Sequence, residues 1–319
     1  LHKGDSDVMR ASLRRPVLAL LAASLVAGMA GCGSAASTSS PSGPIRVVDD
    51  AGQHLSFAAP VHRLVVIAPS NFEIVDALGL RHDIVGVDSS VPEYTPAPWA
   101  QAAQGLPSIG NALPEPSAEA VAVRRPQLVI TDEPLTDLKS LTSRHVPVMV
   151  LDPTSIRGVY RDIRLVGKVT GTSRRANRLI ATLQKQLAQL TARLAHVRTH
   201  PTVFYDLGDL YTTGPHTFLT EFIQLAGGRN AIAPYVTAPW PQVTAEQVVR
   251  ADPDYILIDS GAGITAAQES RLAGFSATHA VQQHHVLVVP NSSYIDEPSI
   301  GMVRGIEEIA HILHPHWVS

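Results

Sequence analysis

The stretch SAEAVAVRRPQLVITD, Ser117–Asp132, returns as TAEQVVRADPDYILID, Thr244–Asp259. Each copy opens on a hydroxyl residue that can cap the free amides of a first helical turn. Each sets a glutamate two positions later at the positive helix end, and each reaches a proline that stops the helix before an apolar run closed by aspartate. Both therefore read as helix, proline break, buried strand. The spacing between the copies leaves room for one α/β lobe. The chain is expected to hold two similarly built lobes, each presenting one glutamate, Glu119 or Glu246, at a helix start. Upstream, FEIVDALG (Phe72–Gly79) resembles TEFIQLAG (Thr220–Gly227), again helix-like and closed by glycine, so the order of elements repeats too. A general strand and helix grammar accounts for part of this likeness in any α/β chain.

The chain has 319 residues and is 45% apolar, enough for two cores. A net charge of −3 and few, scattered aromatic residues leave no basic footprint for nucleic acid. The 14 histidines are dispersed and indicate no pH switch by their number. Arg10, Arg14 and Arg15 precede the apolar and small residues Val17–Ala30, which gives residues 1–31 the positive and hydrophobic regions of a secretory signal. That stretch is too short for a comfortable membrane span. Met9 reads as the natural initiator, and residues 1–8 are then expected to lie upstream of the true start. Cys32 is the one cysteine, so an exported chain has no internal disulfide to make with it. Met29, Ala30, Gly31 and Cys32 resemble the bacterial lipoprotein cleavage motif, which implies lipidation of Cys32. The following Gly, Ser, Ala, Thr and Pro residues, to 44, read as a flexible tether. The expected location is outside the cytoplasm, lipid-anchored to the outer face of the cytoplasmic membrane or in the periplasm.

From Ile45 the pattern is globular. Ile45–Val48 and His54–Phe57 read as a hairpin, and Leu64–Ile67, Ile84–Val87, Leu128–Ile130 and Val146–Leu151 as strands. Helices are expected at Asn71–Leu78 and Leu135–Arg144, in parallel α/β wiring. Between Ser173 and Val197 there is no Gly or Pro, and Leu179, Leu183, Leu187, Leu190 and Leu194 recur at helical spacing. This predicts one rod of about 37 Å, a spine between lobes. The expected divisions are an N-terminal α/β lobe at 45–168, the spine at 169–200 and a C-terminal α/β lobe at 201–319. The second lobe has its helix at Phe218–Ala226, strands at Thr202–Tyr205, Tyr255–Ile258 and Val286–Val289, and a closing helix at Ile300–Leu313.

No nucleophile elbow, phosphate loop, H-E-x-x-H pair or C-x-x-C is present, so neither an enzyme nor a resident metal or cofactor is expected. Polar and aromatic residues instead follow strands: Ser70 and Asn71, Ser90 and Tyr94, Tyr211 and Phe218, Tyr294 and Asp296. Open α/β sheets bind ligands at that edge. Trp240, in Pro239–Gln242, can cover a planar or ring-shaped ligand, or simply pack against its own lobe.

Four segments carry a resemblance to the substrate-binding proteins of ABC importers for cobalamin and ferric siderophores: RLVVIAPSNFEIVDALGLRHDIVGVD from Arg63, LPSIGNALPEPSAEAVAVRRPQLVITDE from Leu106, FLTEFIQLAGGRNAIA from Phe218 and PWPQVTAEQVVRADPDYILI from Pro239. The resemblance implies two α/β lobes with mostly parallel sheets, joined by one long helix, and a ligand cleft between them. It implies that Glu119 and Glu246 meet arginines of a permease dimer, and that the ligand is a small cobalt or iron chelate. Trp240 matches cobalamin-binding members. Ser90 stands near a position that is aromatic in some of those, and Gly301 stands where many siderophore binders carry arginine. Heme, with Tyr94 or Tyr211 on the iron, is a further option. An extracellular α/β enzyme and an adhesion lipoprotein are the alternatives of other classes.

Overall fold

The computed structural model describes residues 43–111, 116–136, 141 and 145–316. The expected signal segment, Cys32, the tether up to residue 42, and most of the helix expected at 135–144 lie outside the described residues. Among the described residues no helix is long and apolar enough to cross a membrane.

Strands β1 (Ile45–Val48) and β2 (His54–Phe57) form an antiparallel hairpin. Asp49 closes its turn by accepting the Gln53 amide at 2.7 Å, and its other oxygen accepts the Val150 amide at 2.9 Å, which ties the hairpin to the first sheet. That sheet contains β3 (Leu64–Val66), β4 (Ile84–Val87), β5 (Leu128–Thr131) and β6 (Val148–Val150), all parallel in the order β4-β3-β5-β6. The second contains β7 (Thr202–Asp206), β8 (Arg229–Asn230), β9 (Tyr255–Ile258) and β10 (Val286–Val288), parallel in the order β8-β7-β9-β10. Counted from its own first strand, each sheet runs second, first, third, fourth. The duplication read in the sequence is thus a duplication of wiring. Both central strands are apolar and buried on both faces, as parallel sheets covered by helices require.

In the first lobe the helices are α1 (Pro69–Ala77), α2 (Ser90–Tyr94), α3 (Ala100–Ala103), α4 (Ala118–Val123) and α5 (Ile156–Val169). Pro69 occupies the first turn of α1, where a missing amide costs nothing. Ser117 caps α4, accepting the Ala120 amide at 3.2 Å. The spine is α6 (Ser173–Leu194), which spans roughly 33 Å. Its buried stripe is Ala176, Ile180, Leu183, Leu190 and Leu194, while Leu179 and Leu187 are half-buried. Arg175 Nη1 donates to the Leu78 carbonyl at 2.8 Å and Arg193 Nη1 to Glu307 Oε1 at 3.0 Å, so the spine holds both lobes.

The second lobe has α7 (Phe218–Leu225), α8 (Ala245–Ala251), α9 (Ala266–Glu269), α10 (His279–Gln282) and α11 (Met302–Leu313). Thr244 and Gln247 form a reciprocal capping box on α8. Met302, Ile306, Ile309, Ala310 and Leu313 make the buried face of α11. Tyr255 stacks on His285 with ring centroids 4.2 Å apart, within its own lobe. The 14-residue α5 is not anticipated by the sequence reading. Gly158 and Gly167 break its apolar pattern, yet both are packing glycines. A Cβ at Gly167 would lie 2.5 Å from that of Ala176, at the α5–α6 contact.

Candidate functional site

Loops leaving the carboxyl ends of strands from both sheets enclose a cleft of about 440 Å3. The first lobe contributes Ala68 and Pro69 after β3, Asp88, Ser90 and Tyr94 after β4, and Asp132 and Glu133 after β5. The second contributes Ser260 and Gly261 after β9, and Ser292, Ser293, Asp296 and Glu297 after β10. Glu73, on α1, completes the wall.

The lobes meet through named bonds. Ser299 Oγ donates to Glu73 Oε2 at 2.6 Å, and the Ser70 amide donates to Glu297 Oε2 at 2.9 Å. The Ile156 amide at the start of α5 donates to Glu221 Oε2 of α7 at 2.9 Å. Tyr294 Oη donates to the Ala97 carbonyl and accepts from Arg304 Nη1 at 3.0 Å, with the guanidinium 4.7 Å above its ring.

Within the second-lobe wall, Tyr205 Oη donates to Asp259 Oδ2 at 3.2 Å. Ser292 Oγ lies 3.0 Å from Asp259 Oδ1, 2.8 Å from Asp296 Oδ2 and 2.8 Å from Ser260 Oγ. Burial, and then the hydrogen bond and charge of Asp259, push Asp296 up to about 9, although it keeps accessible surface in the cleft. In the first-lobe wall Asp88 accepts from the Ala68 amide at 3.3 Å and from Ser90 Oγ at 2.7 Å. Burial raises the Asp88 and Glu297 carboxyls against these bonds. Glu73, 1% exposed, is pushed up to about 8 by burial, with the charge of Glu297 adding to it. Burial, then the charges of Glu297, Glu133 and Asp88, carry Asp132 to about 6.

Among the nine residues expected to touch ligand, Ser90, Tyr94 and Asp296 line the cleft, and Tyr94 is 60% exposed. Ser70 and Asn71 stand behind the wall, where Asn71 Nδ2 donates to the Ile67 carbonyl at 2.9 Å. Tyr294 is 2% exposed and committed to the contact between lobes rather than to the cleft. Tyr211, Phe218 and Trp240 do not line it. Trp240 rests on Phe218 with centroids 5.4 Å apart, and Tyr211 bridges to Gln242 beside them. Sequence reading did not single out Glu73, Asp88, Asp132, Glu133 or Glu297. A signal for part of this wall was present: β4, β5 and β9 are each followed at once by an aspartate, Asp88, Asp132 and Asp259.

Glu119 and Glu246 both stand exposed in the first turns of α4 and α8. Hydrogen bonds from its own backbone amide and from Thr244 hold the Glu246 carboxyl below its ordinary value, and so charged. Among the described residues no group of three or more His, Cys, Asp and Glu is arranged to hold a metal ion.

Residues 64–292 match the family model described as periplasmic binding protein. An uncharacterized ABC transporter substrate-binding lipoprotein of Bacillus subtilis is 26% identical over 315 residues, 93% of this chain and 96% of that protein. A cobalamin-binding protein of Halobacterium salinarum is 28% identical over 280 residues, 85% of this chain and 74% of its own length. Among solved structures, an ABC-type Fe3+-hydroxamate transport system protein of Saccharomonospora viridis superposes with a TM-score of 0.72 at 22% identity, covering 85% of this chain and 99% of that one.

Proposed function

The chain belongs to the periplasmic binding protein family, and from that premise we propose that it is the extracytoplasmic receptor of an ABC importer, capturing a small metal chelate and handing it to a permease. The observation that carries this is the cleft itself, walled by strand-end loops of two sheets with the same wiring. The chelate class, cobalamin or a ferric siderophore, is supported by the likeness to the cobalamin-binding protein. Lipidation at Cys32 would hold the receptor at the membrane, a reading supported by the name of the Bacillus subtilis relative. A heme receptor is the second reading, favoured by Tyr94, whose phenol opens on the cleft. An enzyme is disfavoured because Ser292 and Asp259 are joined without a histidine or cysteine among the described cleft residues to act as base or nucleophile.

A thermal-shift panel of cobalamin, ferric hydroxamate, ferric catecholate and heme tests capture. A ligand at a hundred times its Kd stabilises by about 2.7 kcal/mol, and silence with every member would reject the receptor reading.

In this reading the exposed carboxylates of Glu119 and Glu246 meet permease arginines. Each exposed pair is worth about 0.2–1 kcal/mol, so their role is orientation and encounter more than bulk affinity. The double substitution Glu119→Ala and Glu246→Ala is expected to lower uptake about three- to tenfold while leaving ligand binding intact, and reversal of both charges to arginine to lower it further. Uptake by the reversed variant at the original rate would remove the docking role.

A further inference from the structure

Six carboxylates line the cleft: Glu73, Asp88, Asp132, Glu133, Asp296 and Glu297. Not one of its described lining residues is Lys, Arg or His. The remaining polar groups there are hydroxyls and backbone. Arg304, at the contact between the lobes, is bonded to the same Tyr294 Oη that meets the Ala97 carbonyl and does not line the cleft.

Resting on the receptor reading above, we infer that the cleft takes a cargo with no net negative charge, one that presents ammonium or amide N–H groups to the acidic wall. A carboxylate ring of this kind offers acceptors in excess of donors, and those acceptors are matched by N–H groups. A cationic group gains further because it lets several carboxyls ionise together against their burial and mutual repulsion. An anionic chelate meets the opposite condition. Its catecholate oxygens or carboxylates would be stripped of water with no cation in the described wall to pair them, and would oppose ionisation of the carboxyls further. The same wall separates ferric chelates by their outer charge, whatever the metal at their centre. Amide-rich cobalamin and a linear ferric trihydroxamate carrying a free ammonium satisfy it; a ferric tris-catecholate and the propionates of heme do not.

The discriminating measurement is equilibrium binding of these four compounds at two ionic strengths. Cobalamin or the ammonium-bearing trihydroxamate should bind, and both anionic compounds should bind at least tenfold more weakly. Affinity for the cationic chelate should fall as salt rises. Glu133→Gln, at an exposed lining position where folding is not at stake, and Glu297→Gln should each weaken the cationic chelate severalfold. Tighter binding of the catecholate or heme than of either N–H-bearing compound overturns this inference and leaves the receptor reading standing. Binding of the cationic chelate that is indifferent to salt and to both substitutions overturns it as well. No binding by any of the four overturns both.

Discussion

Asn230→Ala is expected to lower the free energy of unfolding by about 3–5 kcal/mol, measured by chemical denaturation. Asn230 is 7% exposed and every valence of its amide is used. Its Nδ2 donates to the Thr213 carbonyl and to Thr220 Oγ1, both at 2.7 Å, and its Oδ1 accepts the Ile232 and Ala233 amides at 2.8 and 3.1 Å. Alanine fills none of these roles and leaves buried donors and an acceptor unpaired, the expensive half of a hydrogen bond. Asn230→Asp keeps the two acceptor contacts and loses the donors, so it should fall short of wild type as well. A loss below about 1 kcal/mol for the alanine variant would mean that water replaces the amide.

Stability should be greatest on the acid side of neutrality and fall as pH rises from about 5 to about 8. Glu73 has an ordinary value of 4.5 and is raised to about 8 in the folded chain, and Asp162 goes from 3.8 to about 8. Below the lower value both states are protonated and the folded state keeps its full advantage. Between the two values the unfolded chain gives up its proton freely while the folded chain retains it, so each step upward favours unfolding until the folded pKa is passed. One pH unit corresponds to about 1.4 kcal/mol per group at most. Glu73→Gln and Asp162→Asn should each flatten part of the profile. A melting temperature that rises steadily from pH 5 to pH 8 would contradict the assignment.

The repeated helix and strand, the capped glutamates and the spine were legible because each is written locally. Caps, prolines and a 3.6-residue leucine stripe depend only on neighbours in sequence, and the strands that were read agree with the observed ones to within two residues at their ends, while the two-residue β8 was not read. The helix at Ile156–Val169 was not, since two glycines interrupt its pattern and their packing roles, Gly158 against Pro153 and Gly167 against Ala176 of the spine, are set by tertiary contact. The cleft was legible only as a set of strand-end loops. Glu73 looks like the polar face of an amphipathic helix, and nothing in the sequence says that Ser299, 226 positions away, will bury it. Tyr294 carried an aromatic signal suited to a ligand and is spent instead on holding the lobes together.

The shared wiring of the two sheets has a kinetic side. Each half offers the same capped helix with one outward glutamate, at α4 and at α8. On a permease of two equal subunits, such a receptor can land in either of two orientations related by a half-turn. Both would present a carboxylate to each subunit. If those glutamates dock as proposed, that degeneracy would double the productive encounter rate, an advantage of about 0.4 kcal/mol that needs no additional contact. It would survive any divergence between the lobes that spares those two helices, which leaves the cleft walls free to change with the cargo.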